Sequence, residues 1–179
     1  YARATLLPAL AKAKARIAAI ADINGVASSY AAKKYGAEKA VSDYRYVLED
    51  ENIQSVFILV GHHLHAKIVC ESLQLGKHVF VEKPLCTTET ELSQIVELYN
   101  SKIAYNYEKT NQPINQSNNQ PILMVGFNRR FSPHTTKIKQ LLSGRINPIT
   151  MTMTVNAGYV PPEHWVQDPD RGGGRIIGE

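Results

Sequence analysis

Cysteine is scarce in this chain of 179 residues, and its two copies exclude a disulfide-built fold. Neither Cys70 nor Cys86 stands at metal-ligand or redox spacing, so both read as free thiols, Cys70 inside an apolar helical pattern. Long apolar runs are absent too: no eighteen consecutive apolar residues occur, and Lys12, Lys14 and Arg16 break the only N-terminal stretch that could imitate a secretory signal. The expectation is a soluble, cytoplasmic protein without a membrane partner. Twenty Lys and Arg against 16 Asp and Glu give a formal charge of +4, but no block of five like charges exists. That argues against a nucleic-acid partner and leaves a modest positive field that would favour a small anion. The chain opens at Tyr1 rather than at a methionine and stops at Glu179 within what reads as an element, so a fragment is expected.

What is present is ordinary in bulk. Apolar residues at 44% and charged ones at 20% fit a globular protein with one domain, or with one domain and part of a second. Strand runs at residues 16–22, 39–41, 55–60 and 78–81 alternate with helical patterns at residues 5–14, 26–35, 43–49, 65–75 and 88–99. Ser55-Val56-Phe57-Ile58-Leu59-Val60 is apolar almost throughout, as a parallel strand buried on both faces should be. Strands alternating with helices at this spacing predict a doubly wound α/β sheet with right-handed crossovers.

Residues 100–120 turn to Asn, Gln, Pro and Ser, including Asn111-Gln112-Pro113-Ile114-Asn115-Gln116, and predict a low-complexity loop. Strand character returns at residues 122–127, followed by a helix over 133–142. From Ile149 to Val155 apolar residues alternate with threonines at period two, which predicts a mainly antiparallel sheet opening a second, α+β domain. The boundaries read as 1–128 for the first domain and 129–179 for the start of the second.

Two segments invite chemistry. The strand at 78–81 ends in Glu82-Lys83-Pro84, and a strand end is where an open α/β sheet presents groups to a ligand. Read alone, Glu-Lys-Pro is also a common solvated turn. The strand before it ends in Gly61-His62-His63-Leu64-His65, a histidine cluster with no carboxylate or cysteine at ligand spacing, so no metal is expected. Asp22 closes the strand after the first helix. It reads either as an acid binding ribose hydroxyls, about 20 residues past a Gly-rich turn, or as a turn acid beside Asn24-Gly25. The Gly-rich turn itself is missing; Ala2 would occupy its third small position, with Tyr1 beside it.

Through Glu82-Lys83-Pro84, the turn ending in His65, and Gly126-Phe127-Asn128-Arg129-Arg130-Phe131, the chain resembles the glucose-fructose oxidoreductase, inositol dehydrogenase and MocA family of nicotinamide-dependent oxidoreductases. The resemblance implies a Rossmann-like first domain without its first strand, and NAD rather than NADP as cofactor. It implies hydride transfer to or from a hydroxyl carbon of a sugar, cyclitol or nucleotide-sugar. Lys83 would be catalytic, beside the nicotinamide, with the Lys-Pro peptide often cis. Tyr1, Ala2, Asp22, Gly61, His62, His65, Glu82 and Lys83 would line the cofactor. Arg129, or its neighbour Arg130, would face the substrate, while Tyr159 and Trp165 would stack on it or merely pack beneath a sheet. A homo-oligomer formed through the second domain's sheet is implied as well. Two departures stand out. The family's Thr-Pro-Asn-x-x-His pattern is matched directly only at His65, and the Asp that usually follows Gly172-Gly173-Gly174 falls on Gly178. The rival readings are a degenerate nucleotide-binding member without catalysis, or a fragment inactive in isolation.

Overall fold

Five short parallel strands carry the architecture in the computed structural model, which describes residues 2–110 and 121–178. Strand β1 (Ala19–Ala21) pairs with β2 (Lys39–Val41), and β3 (Ser55–Ile58), β4 (His78–Val81) and β5 (Leu123–Val125) form a second ladder in that order. This is the pairing of a doubly wound sheet from its second strand onward, and no described strand bridges β1 and β3. The crossovers are helical: α1 (Leu7–Lys12) precedes β1, and α2 (Gly25–Tyr35), α3 (Arg45–Leu48), α4 (His65–Gln74) and α5 (Glu89–Thr110) follow β1 to β4 in turn.

The local chemistry explains the boundaries. Asn24 caps α2 by accepting the amides of Val26 and Ala27 at 3.1 and 3.3 Å, and Gly36 ends that helix at a φ of 69°. Helix α5 opens with a reciprocal capping box. Glu91 Oε2 accepts the amides of Thr87 and Thr88, while the Thr88 hydroxyl accepts the Glu91 amide at 3.2 Å.

One core forms where α4 and α5 cover a face of the β3-β4-β5 ladder. Ile58, Ala66, Ile68, Val69, Leu73, Val79, Val81 and Ile95 are all nearly or fully excluded from water. The i, i+3 and i+4 spacing along α4 aims Ile68, Val69, Ser72 and Leu73 at the sheet, and alternation in β4 sends Val79 and Val81 to meet them. On the opposite face Phe57 and Phe80 stack with ring centroids 5.2 Å apart. Below the sheet, Lys77 buries its stem and donates from Nζ to the carbonyls of Asp50 and Ile53, each at 2.7 Å, closing the loop before β3.

Two expectations need correction. The low-complexity loop does not begin at residue 100, because α5 runs on to Thr110. A helix on a surface needs only one apolar stripe, and Lys102 also ties this stretch to the end of α4 by donating to the Gln74 carbonyl at 3.1 Å. The rest of the expected loop, 111–120, lies outside the described residues. The second correction concerns residues 149–155, which form no strand. Their backbone meets no ladder partner among the described residues, and the apolar positions Met151, Met153 and Val155 are exposed. Helix α6 (Pro133–Leu141) does form, capped by Ser132. Among the described residues, no helix is long and apolar enough to cross a membrane.

Burial sets the expected stability pattern. Replacing Leu73, fully buried, by Ala is expected to cost about 2–5 kcal/mol. The same change at the exposed Leu75 is expected to stay within about 1 kcal/mol. Urea denaturation of the two variants measures the contrast.

Candidate active site

Register builds the site. Ile58 lies beside Val81, and Val81 beside Val125, so the chain leaves β3, β4 and β5 along one edge. Residues 59–65, 82–87 and 126–131 therefore crowd at the carboxyl ends of the strands, where open parallel sheets bind ligands.

His65 joins the first two of these turns. It begins α4 and is 1% exposed, with Nδ1 2.6 Å from the Pro84 carbonyl and Nε2 3.1 Å from the Val60 carbonyl. Both ring nitrogens face the protein's own backbone carbonyls, of which a neutral ring donates to one, so the side chain fixes the wall of the crevice from behind and does not face into it. Pro84, whose carbonyl His65 meets, is likewise buried, and the Lys83-Pro84 peptide is cis.

Lys83 reaches across to the C-terminal segment, donating from Nζ to the Gly178 carbonyl at 2.9 Å. His62 does the same from the neighbouring turn: Nδ1 donates to the Gly172 carbonyl at 2.9 Å. Trp165 meets the His62 ring edge-on, centroids 4.7 Å apart at 74°. Burial lowers the His62 pKa below its ordinary value. The Gly172 carbonyl works against that shift, while the charges of His65, Lys83 and His63 add to it.

Close packing explains the glycines of this segment. A Cβ on Gly172 would run into the backbone of Val166 and Trp165, and one on Gly178 would run into the Gly172 carbonyl. Gly126 is the counterpart beside β5, because a Cβ there would sit 2.8 Å from Glu82 Oε1. Glu82 accepts the Lys83 amide through Oε2 at 3.3 Å, and its Oε1 is buried without a hydrogen-bond partner among the described residues. A buried acceptor with no donor is costly, and it marks a place where a ligand hydroxyl would be favoured.

Other expected residues are placed as follows. Asp22 directly follows β1 and accepts the Asn24 amide through Oδ1 at 2.9 Å, a turn role that leaves Oδ2 free of any hydrogen bond within the described residues. Ala2 begins the first helical turn, and Tyr1 lies outside the described residues. In the turn Asn128–Phe131 the Arg130 guanidinium stacks on Phe131 at 4.8 Å, while Arg129 is exposed at the same strand edge. Trp165 joins the site through His62, whereas Tyr159 is 82% exposed and does not. The histidine cluster separates into individual bonds, and no three potential metal ligands converge among the described residues. Sequence reading missed the carbonyls of Gly172 and Gly178 as partners; the only signal was the triple glycine, which admits close backbone approach.

The packing at Gly172 is backbone against backbone, so it cannot relax cheaply. Gly172→Ala is expected to free residues 164–178 from the crevice, read as at least tenfold faster hydrogen exchange there, while Gly25→Ala, with open space around it, leaves exchange unchanged.

Comparison with known proteins agrees with this geometry. Residues 1–105 match the family described as Oxidoreductase family, NAD-binding Rossmann fold (GFO_IDH_MocA). A levoglucosan dehydrogenase from Pseudarthrobacter phenanthrenivorans is 34% identical over 96 residues, covering 51% of this chain and 25% of that protein. Inositol 2-dehydrogenase 2 from Saccharopolyspora erythraea is 32% identical over 151 residues, covering 82% and 40%. Among solved structures, the myo-inositol dehydrogenase from Lactobacillus casei in complex with NAD(H) and myo-inositol is 26% identical with a TM-score of 0.58, covering 72% of this chain and 33% of that one. The chain thus spans between a quarter and two fifths of the length of these curated relatives. With a family match over residues 1–105 and a parallel ladder that gathers Glu82, Lys83 and His62 at its carboxyl edge, the chain belongs to the Gfo/Idh/MocA oxidoreductase family with an NAD-binding Rossmann fold.

Proposed function

We propose that this chain provides the cofactor-binding half of a nicotinamide-dependent dehydrogenase acting on a hydroxyl carbon of a sugar or cyclitol, with NAD preferred to NADP. The observation that carries the reading is the convergence of Lys83 and His62 on adjacent carbonyls of one glycine-rich segment, at the carboxyl ends of β3 and β4. The named substrates of related proteins, levoglucosan and inositol, are polyols with secondary carbinols and support the substrate class.

The residues present fit a dinucleotide. Glu82 Oε1 is an acceptor awaiting a donor, as a ribose or carbinol hydroxyl would supply, and the bare Gly126 makes room for the Glu82 carboxylate itself. Asp22 sits at the end of β1, where a carboxylate holds ribose hydroxyls and repels a 2'-phosphate. When bound, the nicotinamide supplies the hydride chemistry. The chain's part is to hold and orient: Lys83 keeps two N–H donors beyond the one given to Gly178, enough to grip a carbinol oxygen. In this reading residues 1–128 are the cofactor domain and 129–179 open the substrate domain, Arg129 faces the substrate, and the protein works in the cytoplasm as a homo-oligomer. A second reading, a nucleotide-binding protein without turnover, is favoured by Gly178, where the family's carboxylate is replaced by a backbone carbonyl.

Titration of the whole protein with NADH and NADPH, followed by nicotinamide fluorescence, tests the reading. NADH is expected to bind at least tenfold more tightly, and Asp22→Ser to narrow that ratio. Equal affinities would contradict the Asp22 assignment, and no binding of either would overturn the whole. Lys83→Met is expected to retain NADH binding while turnover of myo-inositol or levoglucosan, whichever is used, drops by about 10²–10⁴. Binding without turnover of any polyol by the native protein would favour the second reading.

A further inference from the structure

We propose that the sugar or cyclitol taken by this site carries an anionic group, a phosphate or a carboxylate, received by the turn Asn128–Phe131 and the start of α6; the inference deepens the nicotinamide-dependent reading given above and rests on it. Charge is unevenly spread along the chain. Of the 20 Lys and Arg and the 16 Asp and Glu, residues 121–162 hold five of the first and none of the second, so the whole positive excess lies there. The five are Arg129, Arg130, Lys137, Lys139 and Arg145, and all are exposed.

Pairing is uneven too. At the amino end of the sheet Arg16 meets Glu38 at 2.6 Å and Lys39 meets Asp50 at 2.9 Å, so the fold itself neutralises those cations. None of the five has a carboxylate at ion-pair distance among the described residues. Their contacts are neutral: Arg130 lies over the Phe131 ring at 4.8 Å, and Lys137 donates to Gln140 Oε1 at 3.3 Å. Like charges gathered on one turn and one short helix without a counter-charge repel one another, and a bound anion relieves that repulsion.

Position ties this charge to the crevice. Gly126 leaves β5 by donating its amide to the Val81 carbonyl at 2.8 Å, and it stands against the Glu82 carboxylate. Arg129 follows three residues on, in a turn held tight by the Asn128 amide on the Gly126 carbonyl at 2.8 Å and the Ser132 amide on the Arg129 carbonyl at 3.0 Å. Three residues span at most about 10 Å, so the Arg129 backbone stays within that distance of Gly126. Across the turns 59–65, 82–87 and 126–131, Glu82 is the one acid against Lys83, Arg129 and Arg130. Levoglucosan and inositol, named for relatives, offer only neutral oxygens, which Glu82 and Lys83 serve without further cations. A guanidinium instead matches two oxygens of a phosphate or carboxylate with paired N–H donors. The ligand is therefore a sugar or cyclitol whose carbinol meets Lys83 and whose oxyanion lies on the β5 side of it.

Titration of the whole protein, saturated with NADH and followed by nicotinamide fluorescence at low and at physiological salt, tests this. The probes are glucose, glucuronate, glucose 6-phosphate, UDP-glucose and inorganic phosphate, which separate the carboxylate, phosphate-ester and nucleotide sources of the anion. At least one of the three anionic sugars is expected to bind at least tenfold more tightly than glucose, an advantage that falls about threefold at the higher salt. Arg129→Gln with Arg130→Gln is expected to remove most of that advantage, and Arg129→Lys with Arg130→Lys to keep part of it. Arg16→Gln, a loss of charge at the other end of the sheet, is expected to leave it unchanged. Glucose binding as tightly as the anionic sugars, no sugar binding at all, inorganic phosphate matching glucose 6-phosphate, or anions that act by displacing NADH would overturn the inference alone. Absence of NADH binding to the native protein would overturn the reading beneath it.

Discussion

A single buried imidazole holds the functional edge together. The carbonyls of Val60 and Pro84 belong to two different strand-to-helix connections, and that of Pro84 points into buried space, where an unpaired carbonyl costs about 1–3 kcal/mol. His65 fills that space, at 2.6 Å from one and 3.1 Å from the other, and so sets the spacing of the two turns that carry His62 and Lys83. Because His65 also starts α4, whose apolar face makes the core with β3 and β4, the spacing is anchored to the most deeply buried part of the molecule. The strands alone would not fix it: β3 ends at Ile58, before the turn that carries His62, and β4 ends at Val81, just before Glu82 and Lys83.

The second constraint is the absence of side chains. Gly172, Gly178 and Gly126 each stand where a methyl group would strike backbone or the Glu82 carboxylate. Their bareness lets the segment 164–178 lie directly on the crevice and offer two carbonyls to two basic side chains. It also leaves Glu82 Oε1 dry and without a partner, a local cost that the fold sustains and a bound hydroxyl would relieve.

Much of this was legible in the sequence, for physical reasons that can be named. The almost continuous apolar run at residues 55–60 and the short apolar run at 78–81 read as strands because buried parallel pairs need those residues, and Gly36 and Thr88 act as the helix stop and cap that their chemistry suggests. Glu82 and Lys83 stand at the strand end expected of them. The part of His65 was not legible, since a histidine opening a helix looks the same whether it faces a ligand or two carbonyls 19 and 5 residues away. Residues 149–155 misled for the opposite reason: period two states a preference for a ladder, but a ladder also needs a neighbour, which local sequence does not reveal. Composition misjudged residues 100–110 because Asn and Ser lower helix propensity only slightly, and a helix already nucleated over Glu89 to Tyr99 extends at small cost.

The central claim is that the carboxyl edge of β1, β3 and β4 forms one dinucleotide site. Hydrogen exchange of the whole protein with and without NADH tests it most directly. The account predicts added protection concentrated at residues 22–28, 61–65 and 82–87, with residues 50–54 at the opposite end of the strands unchanged. Uniform protection, or protection centred away from those turns, would contradict it.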